Sequence, residues 1–334
     1  MAKIVYGAGI SHSPLLILNP SDWELRSQDD YINPSLNTSD GRWLSYQELE
    51  AEAGTAHEKQ ARCEVYVEKH SAAQKALDRI AADLAASAPD VVLIVGDDQR
   101  ENFGEDNQPA LAVFYGDKVT MSAEHFGHED APVWARNVAV GYAMDQAHCF
   151  PGSPALGVDV IQGLMERHFD VTAMGNPVEP CKRGFGHAFG FVIRRLLGDR
   201  SVPILPILLN TYYPPNVPSA ARCFGLGQAL RESIEASKCA LRVAVIASGG
   251  LSHFIVDEAL DREVLRAISE GDSEALVSIP REALNSGSSE ILNWITVAAA
   301  LEGHQPSWSE YYPVYRTPAG TGVGVAFASW KLGI

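Results

Sequence analysis

The chain has 334 residues, 46% of them hydrophobic, and a formal charge of −16 at pH 7. That is enough apolar material for one large α/β domain or two smaller ones, and the acidic balance argues against nucleic acid, whose phosphates require a basic face. No apolar stretch reaches the roughly 18 residues of a membrane span, and Met1-Ala2-Lys3 leads into a strand-like run instead of a signal-peptide core, so a cytoplasmic protein is expected.

Ile4 to Ile10 is β-branched and apolar, which predicts a strand buried on both faces. It runs into Ser11-His12-Ser13-Pro14, where the proline ends it and leaves His12 just past the strand's carboxyl end. Open α/β sheets hold their ligands at that edge. Residues 15–45 are rich in Asn, Asp, Ser and Pro with little periodicity, and predict a long, mostly irregular excursion of the kind that tends to be functional. From Tyr46 to about Ser87 the composition is helical, broken near Gly54-Thr55, with His57 just past the break and His70 further along. Val91 to Val95 predicts a second buried strand, ending in Gly96-Asp97-Asp98-Gln99, and Leu111 to Tyr115 a third. Helices are expected over 131–144 and 154–169, a short strand over 171–174, a helical unit carrying His187 over 184–197, and a core run over 202–209. A helix over 219–237 leads to a strand over 241–247, followed by Ser248-Gly249-Gly250-Leu251-Ser252-His253. Further helices are expected over 256–270, opening near Glu258 where a carboxylate is favourable, and over 288–301. Gly320 to Gly324 reads as a tight turn before a terminal strand. No repeat or linker stands out, so residues 1–334 are expected to form a single catalytic domain, an α/β fold with a central, mostly parallel sheet flanked by helices.

Familiar signatures are absent. Gly7-Ala8-Gly9 lacks the third glycine of the dinucleotide fingerprint, His12 standing in its place, and neither a P-loop nor G-x-S-x-G occurs. The five cysteines, Cys63, Cys149, Cys181, Cys223 and Cys239, show no C-x-x-C spacing and are expected as reduced thiols. Of the ten histidines, His70, His148, His168 and His304 fit surface or core roles, whereas His12, His57, His187 and His253 stand at strand or helix ends. Two imidazoles and one carboxylate on one face are the minimal set for a non-haem iron(II) site with open positions.

These segments resemble the class III extradiol ring-cleavage dioxygenases, the superfamily of protocatechuate 4,5-dioxygenase catalytic subunits and gallate-type dioxygenases. The likeness covers most of the chain. It rests on Gly9-Ile10-Ser11-His12-Ser13-Pro14, Gly96-Asp97-Asp98, Gly127-His128-Glu129-Asp130, Gly186-His187, and Ser248 to His253 with Glu258 five residues on. The resemblance implies Fe(II) bound by His12, His57 and Glu258, with His70 as the rival of His57 and Asp257 that of Glu258. It also implies His187 as the acid–base group, His128 as a further active-site histidine, and His253 beside the site, orienting Glu258 or substrate. The implied reaction inserts both atoms of O2 into a lignin-derived catechol of the protocatechuate, gallate, methylgallate or biphenyl type. Tyr311 to Thr317 has the composition of a substrate wall, with Arg316 as a candidate carboxylate clamp. Some relatives carry a small helical subunit as a lid; here residues 18–43 or a neighbouring subunit, in a homo-oligomer such as a dimer, are expected to do that work. A non-catalytic binding protein of the same fold and a zinc-dependent hydrolase using the same ligands are the alternatives.

Overall fold

A computed structural model describes residues 1–122, 131–176 and 184–333; His128 and Cys181 lie outside them. The aliphatic runs form one eight-stranded sheet from β1 (Lys3–Ile10), β2 (Val91–Asp97), β3 (Leu111–Phe114), β4 (Thr172–Met174), β5 (Ile204–Leu209), β6 (Arg242–Ser248), β7 (Trp308–Tyr315) and β8 (Gly322–Lys331). Its order is β7-β8-β1-β6-β2-β5-β3-β4. The central strands β1, β6, β2 and β5 run parallel. β8 and β7 add antiparallel at one edge, and β3 pairs antiparallel with β5 at the other, carrying β4 parallel beside it.

Burial at every position of β2 explains why its sequence is uniformly apolar rather than alternating. Val92 and Ile94 face one apolar layer with Tyr66, Leu77, Ile80 and Phe189, while Val91, Leu93 and Val95 face another with Leu230, Ile234 and Trp294. The helix Cys63–Ala86 covers the first face, its buried Tyr66, Ala73, Leu77, Ile80 and Leu84 recurring at helical spacing. The helices Ala220–Ala236 and Ile291–Ala300 cover the second. Among the described residues no helix is long and apolar enough to cross a membrane, and Cys63, Cys149, Cys223 and Cys239 are free thiols.

Two expectations are corrected. The 15–45 excursion contains a helix, Trp23–Tyr31, and a small ribbon pairing Leu36–Asn37 with Trp43–Leu44. The helix has no apolar stripe to announce it, because it turns Ser27 and Asp30 inward onto polar partners: Ser27 donates to the Arg316 carbonyl and Asp30 accepts from the Arg316 side chain. Tyr311 to Tyr315, a segment for which no strand was expected, lies within β7 in register with β8.

Candidate active site

The carboxyl ends of the parallel strands converge on one cluster. His12 follows β1, Asp97 is the last residue of β2, and Glu290 directly precedes the helix Ile291–Ala300. One ligating atom from each lies within 4.8 Å of the other two, and all three are buried, at 3%, 1% and 2% exposure. The helix that places Glu290 is tied to the end of β6, Asn293 donating to the Ser248 carbonyl and Trp294 Nε1 to the Gly249 carbonyl.

Hydrogen bonds around the cluster leave lone pairs pointing inward. Ser248 Oγ donates to the Ala188 carbonyl at 2.6 Å, so it accepts from His12 Nδ1 at 3.0 Å. His12 Nε2 then presents its lone pair 3.4 Å from Glu290 Oε2. Asp97 Oδ2 accepts from Gln99 Nε2 at 3.1 Å, while buried Oδ1 has no hydrogen-bond partner among the described residues. Burial and the nearby Glu290 charge push the Asp97 carboxyl up, a cost that a cation between these groups would reverse. An orphaned carboxylate oxygen, an imidazole lone pair and a second carboxylate, all dry, fit a divalent metal.

Glu290 is held from behind. Its Oε2 accepts the Gly250 N–H at 2.6 Å, and Oε1 faces His253 Nε2 at 3.2 Å and the Tyr212 hydroxyl at 3.4 Å. His253 Nδ1 meets the Leu251 carbonyl at 2.8 Å, so both ring nitrogens face acceptors. Burial works against the imidazolium, but the Glu290 charge and hydrogen bond outweigh it and raise the His253 pKa. Against burial, which alone would raise it, His253 and His12 hold the Glu290 carboxyl well below the usual carboxylate range. Gly287 makes room for this contact, since a Cβ there would fall 1.9 Å from His253 Cδ2.

His187 opens the helix His187–Phe191 with its ring edge-on to His12, centroids 4.7 Å apart. Its Nδ1 lies 3.1 Å from Glu101 Oε1. A Cβ on Gly186 would sit 2.1 Å from that oxygen, so glycine is what lets the carboxylate reach the ring. Burial pulls the His187 pKa down, but the Glu101 hydrogen bond and charge overcome it and push it up to about 9. Glu101→Gln keeps the shape and removes the charge; the limb of the kcat/KM–pH profile that reports His187 is expected to move to lower pH by roughly 1–3 units. An unmoved profile would show that Glu101 does not tune this histidine.

His12, His187, His253 and Arg316 all line one cavity of about 140 Å³, open to solvent on one side, together with Glu290 and Arg26. That is about the volume that accepts a single aromatic ring. His57 and Glu258 do not join them. His57 stacks on Tyr315, ring centroids 4.1 Å apart, and Glu258 accepts from the Tyr315 hydroxyl and from Arg262, both at 2.8 Å. Both oxygens of Glu258 are thus committed away from His12, and the carboxylate that meets His12 is Glu290. The rivals fare no better: His70 contacts Gln74 and Trp23, and Asp257 caps the helix Glu258–Glu270. Arg316 is 5% exposed and spends Nε and an NH2 group on Asp30 at 2.6 and 3.0 Å, so it is a buried ion pair in the wall and not an open clamp. Sequence reasoning missed Asp97, Glu290, Glu101 and Arg26 as site residues. Asp97 stood in a strand-end motif already noticed, and Glu290 carried the same signal as Glu258, a carboxylate at the start of a helix.

An α/β sheet with a candidate metal cluster and a carboxylate-paired histidine at its carboxyl edge defines the class. Residues 56–326 match the family described as the catalytic LigB subunit of aromatic ring-opening dioxygenase, and the chain belongs to that family. It is 26% identical over 184 residues to a 2,3-dihydroxyphenylpropionate/2,3-dihydroxicinnamic acid 1,2-dioxygenase of Comamonas testosteroni, covering 54% of this chain and 49% of that protein. It is 37% identical over 109 residues to a gallate dioxygenase of Pseudomonas putida, covering 32% of this chain and 30% of that protein. The chain therefore spans about half or less of the length of these relatives.

Proposed function

We propose that this protein is an Fe(II)-dependent extradiol dioxygenase that opens the ring of a lignin-derived catechol, inserting both atoms of O2, with the metal held by His12, Asp97 and Glu290. The observation that carries this reading is the orphaned Asp97 Oδ1, buried with the His12 lone pair and Glu290 beside a carboxylate-paired histidine. When bound, iron(II) at such a site supplies open positions for catechol and O2 and electronic coupling between them.

The chain's own residues supply the proton chemistry and the setting. His187 donates Nδ1–H to Glu101, and Nε2 is assigned as the atom that exchanges a proton with a catechol hydroxyl and returns it later in the reaction. The Glu101 pair raises its pKa, and a cation held beside it would lower that again. His253 and the Gly250 N–H fix the Glu290 carboxylate in place, as partners of metal ligands do. The relatives named above act on polyhydroxylated aromatic acids by their names, which supports protocatechuate, gallate, methylgallate or biphenyl-catechol substrates here. We assign the whole chain to one catalytic unit in the cytoplasm, working as a homo-oligomer.

The test is oxygen uptake by protein loaded anaerobically with Fe(II), using a panel of these catechols. Uptake with loss of the aromatic absorbance is expected for at least one. No uptake with any of them, or equal turnover with Zn(II), would defeat the reading.

A further inference from the structure

One cation in the cavity wall has a whole edge of its guanidinium to spare. Arg26, on the helix Trp23–Tyr31, lines the same cavity as His12, His187 and Glu290. Its guanidinium carbon lies 5.2 Å from the centroid of Trp134 and 5.5 Å from that of Phe254, both of which also line the cavity. One terminal nitrogen donates to Asp30 Oδ1 at 3.1 Å and lies 3.6 Å from Asp29 Oδ2. Among the described residues the remaining nitrogens, Nε and the other NH2 group, have no hydrogen-bond partner.

The surrounding charges leave Arg26 short of a counterion. Asp30 is buried and already holds Arg316 through two hydrogen bonds, so one carboxylate serves two guanidinium groups. Asp29, the other acid in reach, is 43% exposed and also accepts from Trp134 Nε1, so water screens what it offers. Burial and the neighbouring Arg316 charge lower the Arg26 pKa, as expected of a cation that lacks a full partner. The Arg316–Asp30 pair thus holds Arg26 in place, with one edge of its planar fork uncommitted and aromatic faces beside it. That geometry recognises a planar anion.

We propose that Arg26 is the specificity-determining residue of the cavity, binding the carboxylate of an aromatic acid through Nε and its uncommitted NH2 group while the ring lies against Trp134 and Phe254. The inference rests on the cavity being the substrate site and moves the carboxylate clamp from Arg316 to Arg26.

Binding measured without turnover tests it. Calorimetry on the intact Fe(II) protein under anaerobic conditions compares 4-hydroxybenzoate with its neutral isostere 4-hydroxybenzamide. The acid is expected to bind about 10- to 100-fold more tightly, the range for a charge-assisted hydrogen-bond pair. Arg26→Met should erase that preference, weakening the acid far more than the amide. Arg26→Lys, which keeps the charge toward Asp30 but not the fork, should retain only part of it, and carries the test should Arg26→Met fail to fold. Equal binding of acid and amide by the native protein, or an undiminished preference in either variant, would overturn the assignment. Because neither probe is a catechol, failure of ring cleavage and failure of the clamp appear in separate measurements.

Discussion

Glu290→Ala is expected to lose tight Fe(II) binding and, with it, turnover. Partners that only support a metal ligand cost 10- to 100-fold in affinity when removed, so loss of the carboxylate itself should weaken Fe(II) binding by more than about 100-fold. The same change strips the buried His253 of its counterion. Breaking a buried charge pair from one side typically costs about 3–5 kcal/mol, so the metal-free variant should also melt earlier. Glu290→Gln separates the two effects, since it fills the same space and keeps an acceptor toward the Gly250 N–H. Iron content after anaerobic loading and desalting reads the first effect, and thermal unfolding of the metal-free protein the second. Glu258→Ala serves as the control and should keep both iron and activity, because among the described residues its carboxylate oxygens accept from Tyr315 and Arg262, away from His12. Iron loss in Glu258→Ala with full retention in Glu290→Gln would reverse the ligand assignment.

His187→Gln should keep its iron and still bind catechol, yet turn over about 10²- to 10⁴-fold more slowly, the usual contribution of positioned acid–base groups. In barrier terms that is roughly 3–5 kcal/mol. Glutamine is the informative replacement because its amide can still donate to Glu101, which would otherwise lose the hydrogen bond that His187 provides. The measurements are iron content, the anaerobic dissociation constant for a catechol, and single-turnover rate. Loss of iron would recast His187 as a ligand. Undiminished turnover would make it a packing residue and move the proton carrier elsewhere, with His128, outside the described residues, as the next histidine to test.

Some of this was readable from the amino acids and some was not, for identifiable reasons. β1, β2 and β6 declare themselves because strands covered on both faces are uninterrupted aliphatic runs. His12, His187 and His253 stand out because glycine or serine and a change of element flank each. The carboxylate partners were not legible. Glu258 and Glu290 both begin helices, and only tertiary packing, through Trp294 and Asn293 onto the end of β6, brings one of them to His12. The helix Trp23–Tyr31 hid for a related reason: its inward face is polar, paired with an arginine near the other end of the chain, so hydrophobic periodicity could not reveal it. Arg316 looked like a clamp by composition, and a distant aspartate, Asp30, had already taken its guanidinium.

The central claim is that the cavity performs dioxygenation and ring opening, and isotope incorporation tests it most directly. The Fe(II)-loaded protein is given a carboxylated catechol under ¹⁸O2, and the product is weighed by mass spectrometry at short times, before carbonyl oxygen exchanges with water. A ring-opened acid carrying two ¹⁸O atoms is expected. A product with one label or none, or an intact ring, would contradict it.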